Sequence, residues 1–277
     1  MNWKTDTLLG QQVAAPMEYQ PGILMGIDRA LGRQLLSQLD LPGLQQGHDD
    51  WHVFELSWLE AASGRRCVGL ARLRFNAASP RLIESKSLKL YFNSLNFLPL
   101  DSADALRALV ERDLSPVSGA PVQCTLLPVE GLTPTVWTGQ AIDAAALPLQ
   151  PTRQCAEVDP ALLQHRPGAD GEETLISHLF RSNCPVTGQP DWASVRIRYH
   201  GQPWQHGALL AYLLSYGQHC GFHEQCVEQI YHDLWVRLNP TDLMVQAAYT
   251  RRGGLDINPV RSSRADWMPA PTRLHRQ

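Results

Sequence analysis

A weak internal repeat constrains this 277-residue chain more than any other feature. Ala71 to Phe75 reads ARLRF and Val195 to Tyr199 reads VRIRY, about 120 residues apart, each alternating Arg with apolar side chains. Each stretch is expected to be a strand followed by a short turn and a second strand-like run, which gives two hairpins. A helical spacing follows each one. It runs from Ser102 to Leu114 with Leu106, Leu109 and Val110 in phase, and from Phe222 to Leu234 with Val227, Ile230 and Leu234 in phase. Further strands are expected at Val122 to Val129 and Thr135 to Gln140, and at Trp235 to Leu238 and Leu243 to Thr250. The pattern predicts an α+β fold: two β-hairpin, helix, β-hairpin modules in tandem, with antiparallel sheets and helices on one face. The modules are placed at residues 1–145 and 160–277. A linker at 146–159 lies in a stretch that carries Pro148, Pro151 and Pro160 and has no periodicity. Each module alone would leave long strand edges unpaired, so the two are expected to meet along their sheets.

Composition narrows the function classes. With 44% apolar residues and 8% aromatics, the chain has the make-up of a soluble globular protein with a substantial core. A formal net charge of −3 provides no electrostatic footprint for DNA or tRNA, so the expected partner is a small molecule. The amino terminus has no positive segment leading into a long apolar run, and neither export nor a membrane span is expected. Cysteines at 67, 124, 155, 184, 220 and 226 lack the paired spacing of a disulfide scaffold and read as reduced cytoplasmic thiols.

Residues 181 to 192 read RSNCPVTGQPDW. Pro185, Gly188 and Pro190 fix turns and deny this backbone a regular ladder, so Cys184 and Asp191 can be aimed at one ligand. A thiolate beside a proton donor is the equipment of nucleophilic catalysis. The same residues also fit a buried loop cysteine followed by an Asp that caps a strand. Nearby, His219, Cys220, His223 and Cys226 form HCxxHxxC; if helical, they would place two His on one face as zinc ligands, although no metal is assigned here.

The first half contributes IESKSLKLYFNSLN, Ile83 to Asn96, where Glu84, Lys86 and Lys89 crowd the entry to an aromatic strand or helix. ESKSLKLYFNS, SNCPVTGQPDW and the later Phe222-His223-Glu224 together closely resemble the NADPH-dependent 7-cyano-7-deazaguanine reductases in their long, two-module form. The resemblance implies tandem tunnelling-fold modules, a homodimer, and four-electron reduction of a nitrile to a primary amine in queuosine biosynthesis. Cys184 would attack the nitrile carbon to give a covalent thioimide, and Asp191 would protonate the nitrogen. Ile83, Glu84, Ser85, His223 and Glu224 match the family's substrate contacts. A Glu carboxylate can accept together from a guanine-like ring N–H and its exocyclic amine. The cofactor is NADPH by resemblance alone, because no GxGxxG follows a strand. The matching positions are Ser85, Lys86, Arg252 and Gly253; Lys89, Arg251 and Arg261 are further cations that could meet the 2′-phosphate but read first as plain surface charges. Two other readings stay open on the residues alone. One is a cysteine hydrolase built on Cys184 and His223, which would release ammonia without NADPH; the other is a purine-binding module without catalysis, which an exposed Cys184 would not need.

Overall fold

The computed structural model describes residues 7–8, 10–147 and 157–277. In chain order its elements are β1 (Gly26–Asp28), α1 (Ala30–Arg33), β2 (Gly47–Glu60), β3 (Arg66–Asn76), β4 (Arg81–Ile83), α2 (Ser85–Ser94), β5 (Pro99–Leu100), α3 (Ala103–Ser118) and β6 (Gln123–Leu127). They continue with β7 (Pro134–Thr135), β8 (Gln140–Ala141), β9 (Gly171–Asn183), β10 (Pro190–Gly201), α4 (His206–Leu214), α5 (His223–Leu238), β11 (Asp242–Tyr249), β12 (Leu255–Ser262) and β13 (Arg273–Leu274). The architecture is mixed α+β, with long antiparallel ladders and a few short parallel pairings. Two compact units emerge. The first holds residues up to Gly32, Asp49–Thr133 and Arg251–Ile257; the second holds Arg33–His48, Pro134–Thr250 and Asn258–Gln277. Most of the segment expected as a linker, 148–156, lies outside the described residues, as does Cys155.

In the first unit the strands run in the order β6, β3, β2. Strict alternation along β3 sends Ala71, Leu73 and Phe75 into the core and leaves Arg72 and Arg74 on the other face. The helix α3 starts where Ser102 Oγ accepts the Ala105 amide at 3.1 Å and stops at Gly119, whose φ of 78° suits only a residue without a Cβ. Leu106, Val110 and Leu114, four residues apart, form its buried stripe.

In the second unit the order is β12, β11, β10, β9, β8. Val195, Ile197 and Tyr199 of β10 share one apolar cluster with Leu209, Leu213, Val227 and Ile230 from α4 and α5. Each such aliphatic contributes about 1.5–3 kcal/mol by leaving water.

Several expectations are corrected. ARLRF and VRIRY are second strands of their hairpins; the partners β2 and β9 precede them. Trp235 to Leu238 is not a strand but the last turn of α5, because the three-to-four spacing continues through Leu234 and Leu238 until Asn239 adopts a left-handed φ of 40° before Pro240. Thr135 to Gln140 breaks into β7, which pairs with β13, and β8, which pairs with β9. Arg261 is not a surface cation: it is buried against Glu228. His52 is buried as well, with Nδ1 2.8 Å from Asp256 Oδ1.

Candidate active site

The hairpin joining β9 to β10 carries both Cys184 and Asp191. The register pairs Asn183 with Pro190 and Ser182 with Asp191. Beyond it, the Cys184 amide donates to Gln189 O at 2.8 Å, and the Gly188 amide donates back to Cys184 O at 3.0 Å. Gly188 takes a φ of 67°, which closes the loop without strain. Cys184 thus sits just past the end of β9 and Asp191 near the start of β10, on the two arms of one hairpin. The exposed thiol expected from a turn-rich segment is corrected. Both backbone groups of Cys184 are satisfied inside the loop, and its side chain turns inward, leaving the residue 2% exposed.

The amino end of α5 is pinned to the same hairpin. The Asn183 amide donates to His219 O at 2.8 Å, and the Gly221 amide donates to Asn183 O at 3.1 Å, immediately before the helix starts. His223 is the first helical residue, and its Nε2 lies 3.3 Å from Asp191 Oδ2. That is ion-pair reach, but Nε2 is not aligned for a hydrogen bond. The His223 ring stacks on Tyr249 of β11, with centroids 3.8 Å apart and planes 29° off parallel. Sequence reasoning missed Tyr249. Glu224 follows in the first turn, 3% exposed, where the helix dipole favours an anionic side chain. Asp191 is equally buried, at 3%. Cys226, one turn on, is a core thiol that burial pushes up to about 12, so it competes poorly as a nucleophile. Because α5 begins at His223, His219 and Cys220 lie in the connection before it and do not share its face. No group of three His, Cys, Asp or Glu among the described residues is placed to hold a metal ion.

The first unit holds the other motif. Ile83 ends β4, pairs with Gly26 and packs in the core. Glu84, fully buried, caps α2: Oε1 accepts from the Lys86 amide at 2.7 Å and Oε2 from the Ser87 amide at 2.8 Å. Ser85 is the first residue of α2. Burial raises the Glu84 pKa above the usual carboxylate range, although the two amides and the Lys86 charge pull it down. The folded state therefore binds the Glu84 proton more tightly than the unfolded chain. The stability this contributes is complete below the unfolded pKa and is lost as pH rises through the raised folded value. Relative to Glu84→Gln, which cannot titrate, the parent chain is expected to lose stability in urea melts as pH is raised above the ordinary carboxylate range of about 4. A gap that stays constant, or that moves in the parent's favour, would contradict this assignment.

Arg252 and Gly253 lie in the tight connection between β11 and β12. The Arg252 amide donates to Leu255 O at 2.8 Å and the Leu255 amide returns at 3.2 Å, while Gly253 and Gly254 take φ of 60° and 84°, a two-glycine hairpin turn. Lys89, one helical turn after Lys86, lies directly over Gly253: a Cβ there would meet Lys89 Cδ at 3.1 Å. Arg66, Lys89, Asn93, Gly253 and Gly254 line a cleft of ≈ 340 Å³. Lys86 instead hydrogen-bonds its ammonium to Gln11 O. The structure thus brings Lys89 of α2 and the Gly253–Gly254 turn to one cleft in the first unit, while Ser85, Lys86 and Arg252 are not among the residues that line it. Cys184, Asp191, His223 and Glu224 all belong to the second.

A turn-locked hairpin thus holds a buried thiol and a buried carboxylate, the carboxylate beside a histidine that opens α5, and comparison with known proteins gives the family. Residues 16–126 match the family model described as "Nitrile reductase, 7-cyano-7-deazaguanine-reductase N-term", and residues 190–267 match that of "QueF-like protein". An NADPH-dependent 7-cyano-7-deazaguanine reductase of Acinetobacter baumannii is 51% identical over 98% of both chains. That of Xanthomonas campestris is 48% identical over 100% of this chain and 98% of its own. The chain belongs to the NADPH-dependent 7-cyano-7-deazaguanine reductase family, a family of oxidoreductases.

Proposed function

We propose that this chain reduces the nitrile of 7-cyano-7-deazaguanine to the primary amine through a covalent thioimide on Cys184, within queuosine biosynthesis in the cytoplasm. The observation that carries the reading is the Asp191–His223 pair, 3.3 Å apart, which sets the first residue of α5 against the hairpin that also presents Cys184. A nitrile carbon is a poor electrophile, and a sulfur nucleophile with a nearby acid converts it into a better one. Cys184, attacking as the thiolate, forms a carbon–sulfur bond to the nitrile carbon while one C–N π bond opens and protonated Asp191 transfers its proton to the nitrogen; the product is a neutral thioimide and an Asp191 carboxylate. Two NADPH, bound one after the other, would each supply one of the two hydrides that carry the carbon from nitrile to amine. After the first reduction the carbon–sulfur bond breaks, the electron pair returns to Cys184, and an imine is left for the second. His223, beside Asp191, is placed to pass it protons between the two steps.

Glu224 and Glu84 would read the purine-like edge, with Ile83, Ser85 and His223 as further substrate contacts. Glu84 already spends one acceptor direction of each oxygen on the α2 amides, so its remaining lone pairs would be offered to the ligand. The cleft beside Gly253 suits the cofactor: two cations for phosphate and a glycine turn that lets backbone approach closely. Lys89 and Gly253 would hold NADPH there, with Ser85, Lys86 and Arg252 as further cofactor contacts from the residues around it. The modules 1–145 and 160–277, linked through 146–159, would be tunnelling-fold modules, and the assembly a homodimer that binds neither nucleic acid nor membrane. Among the described residues no helix is long and apolar enough to cross a membrane.

Asp191→Asn tests the acid role. An amide cannot deliver the same proton, so NADPH oxidation should slow by about 10²–10⁴-fold while the nucleobase still binds. Unchanged turnover would remove Asp191 from the mechanism.

A further inference from the structure

A second cleft lies on the other face of β10, away from the apolar cluster that packs α4 and α5. Val195, Ile197 and Tyr199 point into that cluster, so Arg196 and Arg198 point the opposite way, side by side. They form part of a ≈ 320 Å³ cleft together with Thr138, Thr174, Glu172 and Trp267. None of these residues belongs to the nitrile site or the cofactor cleft described above.

The two arginines are not equivalent. Arg198 is matched by Glu172, with Nε 2.8 Å from Oε1, and lies over the Trp267 ring at 4.3 Å. Asp266, the other carboxylate at the cleft, is matched by Arg264 at 2.8 Å. Arg196 has no carboxylate partner among the described residues. Its Nη2 donates to the neutral Gln246 Oε1 at 2.7 Å, its plane lies over Trp137 at 5.0 Å, and its Nε is buried without an acceptor. Burial, and then the neighbouring Arg198, pull its pKa below the usual guanidinium value. A half-buried cation with only a neutral hydrogen-bond partner and a like charge beside it is under-compensated, and an anion in the cleft would supply the opposite charge.

We propose that this cleft binds a small oxyanion of phosphate size, with Arg196 as its principal ligand and the Thr138 and Thr174 hydroxyls in its walls. The chemistry is that of inorganic phosphate or of the phosphoryl group of a small phosphomonoester, which guanidinium donors match well. The volume holds such a group with several waters, each of which takes about 30 Å³. A stacked base is not part of the assignment, because guanidinium groups already cover both tryptophan rings.

The test is titration calorimetry of the full chain in phosphate-free buffer without NADPH, with inorganic phosphate as the probe and glycerol phosphate in a parallel arm. Saturable binding is expected, and Arg196→Gln should weaken it by about tenfold or more. Glu172→Gln, which removes a carboxylate and releases Arg198, should tighten it by about threefold. Lys89→Gln, in the other unit, should leave the Arg196-dependent binding intact and so separates this site from the proposed cofactor cleft. Tighter glycerol phosphate than phosphate would identify a phosphomonoester site, and the reverse a free-phosphate site; both support the proposal. Equal affinity in the parent and Arg196→Gln means an adventitious ion only and overturns it. Should Arg196→Gln fail to fold, absence of tightening in Glu172→Gln overturns it equally.

Discussion

Cys184→Ala is expected to abolish both adduct formation with the nitrile and NADPH consumption, lowering turnover by about 10⁴-fold or more, the scale of losing a covalent nucleophile. The variant should fold. Cys184 is buried, but it lies in the loop that follows β9, where its amide and carbonyl are bonded to Gln189 O and the Gly188 amide, and alanine preserves both. The change also keeps Asp191, His223 and Glu224 in place, so the nucleobase should still bind. Binding without turnover separates a nucleophile from a packing residue. The other buried thiols do not substitute: Cys124 and Cys226 are each pushed up to about 12 by burial, and they lie on β6 and inside α5. Isotherms for the nitrile ligand, measured beside NADPH oxidation rates, check the result. A Cys184→Ala protein that still reduces the nitrile would remove the covalent route.

The largest expected stability effect lies elsewhere in the second unit. Glu228 of α5 accepts a bidentate pair from Arg33, with Nε 2.9 Å from Oε2 and Nη2 2.8 Å from Oε1. It also accepts from Arg261, with Nη2 at 2.7 Å and Nε at 3.1 Å from Oε1. All three residues are buried, and Arg261 is wholly excluded from solvent. Glu228 thus pairs with two buried guanidinium groups. Glu228→Gln keeps the shape but removes the charge, and two cations then repel across a low-dielectric interior. Breaking a buried pair by removing one partner typically costs about 3–5 kcal/mol, and here two pairs are lost. That is a large part of the ~5–15 kcal/mol that holds an ordinary protein folded. Urea unfolding should show a large drop in midpoint, or little folded protein. A loss below about 1 kcal/mol would mean that solvent reaches the cluster and screens it.

Much of the scaffold could be read in advance where one periodicity dominates. The alternation in ARLRF and VRIRY located β3 and β10, and the three-to-four spacing located α3 and α5. The partners β2 and β9 escaped because their patterns are impure: the β9–β10 ladder shifts register between Ala193 and Val195, which breaks period-two reading. The end of α5 was misread because Trp235 and Val236 favour strands locally, while packing of Leu234 and Leu238 extends the helix. At the site, turn chemistry singled out Cys184 and Asp191, on the two arms of one hairpin. The stack of His223 on Tyr249 and the burial of Arg261 were not legible. Each depends on partners distant in sequence, as with Arg33 and Glu228, 195 positions apart.

The most direct test of the covalent route is to mix the protein with 7-cyano-7-deazaguanine in the absence of NADPH and record intact mass together with absorbance, before adding the cofactor. A mass gain of one ligand that is absent from Cys184→Ala, followed by oxidation of two NADPH per nitrile, is the predicted result. Oxidation of two NADPH with no adduct at any stage, or ammonia release without NADPH, would contradict it.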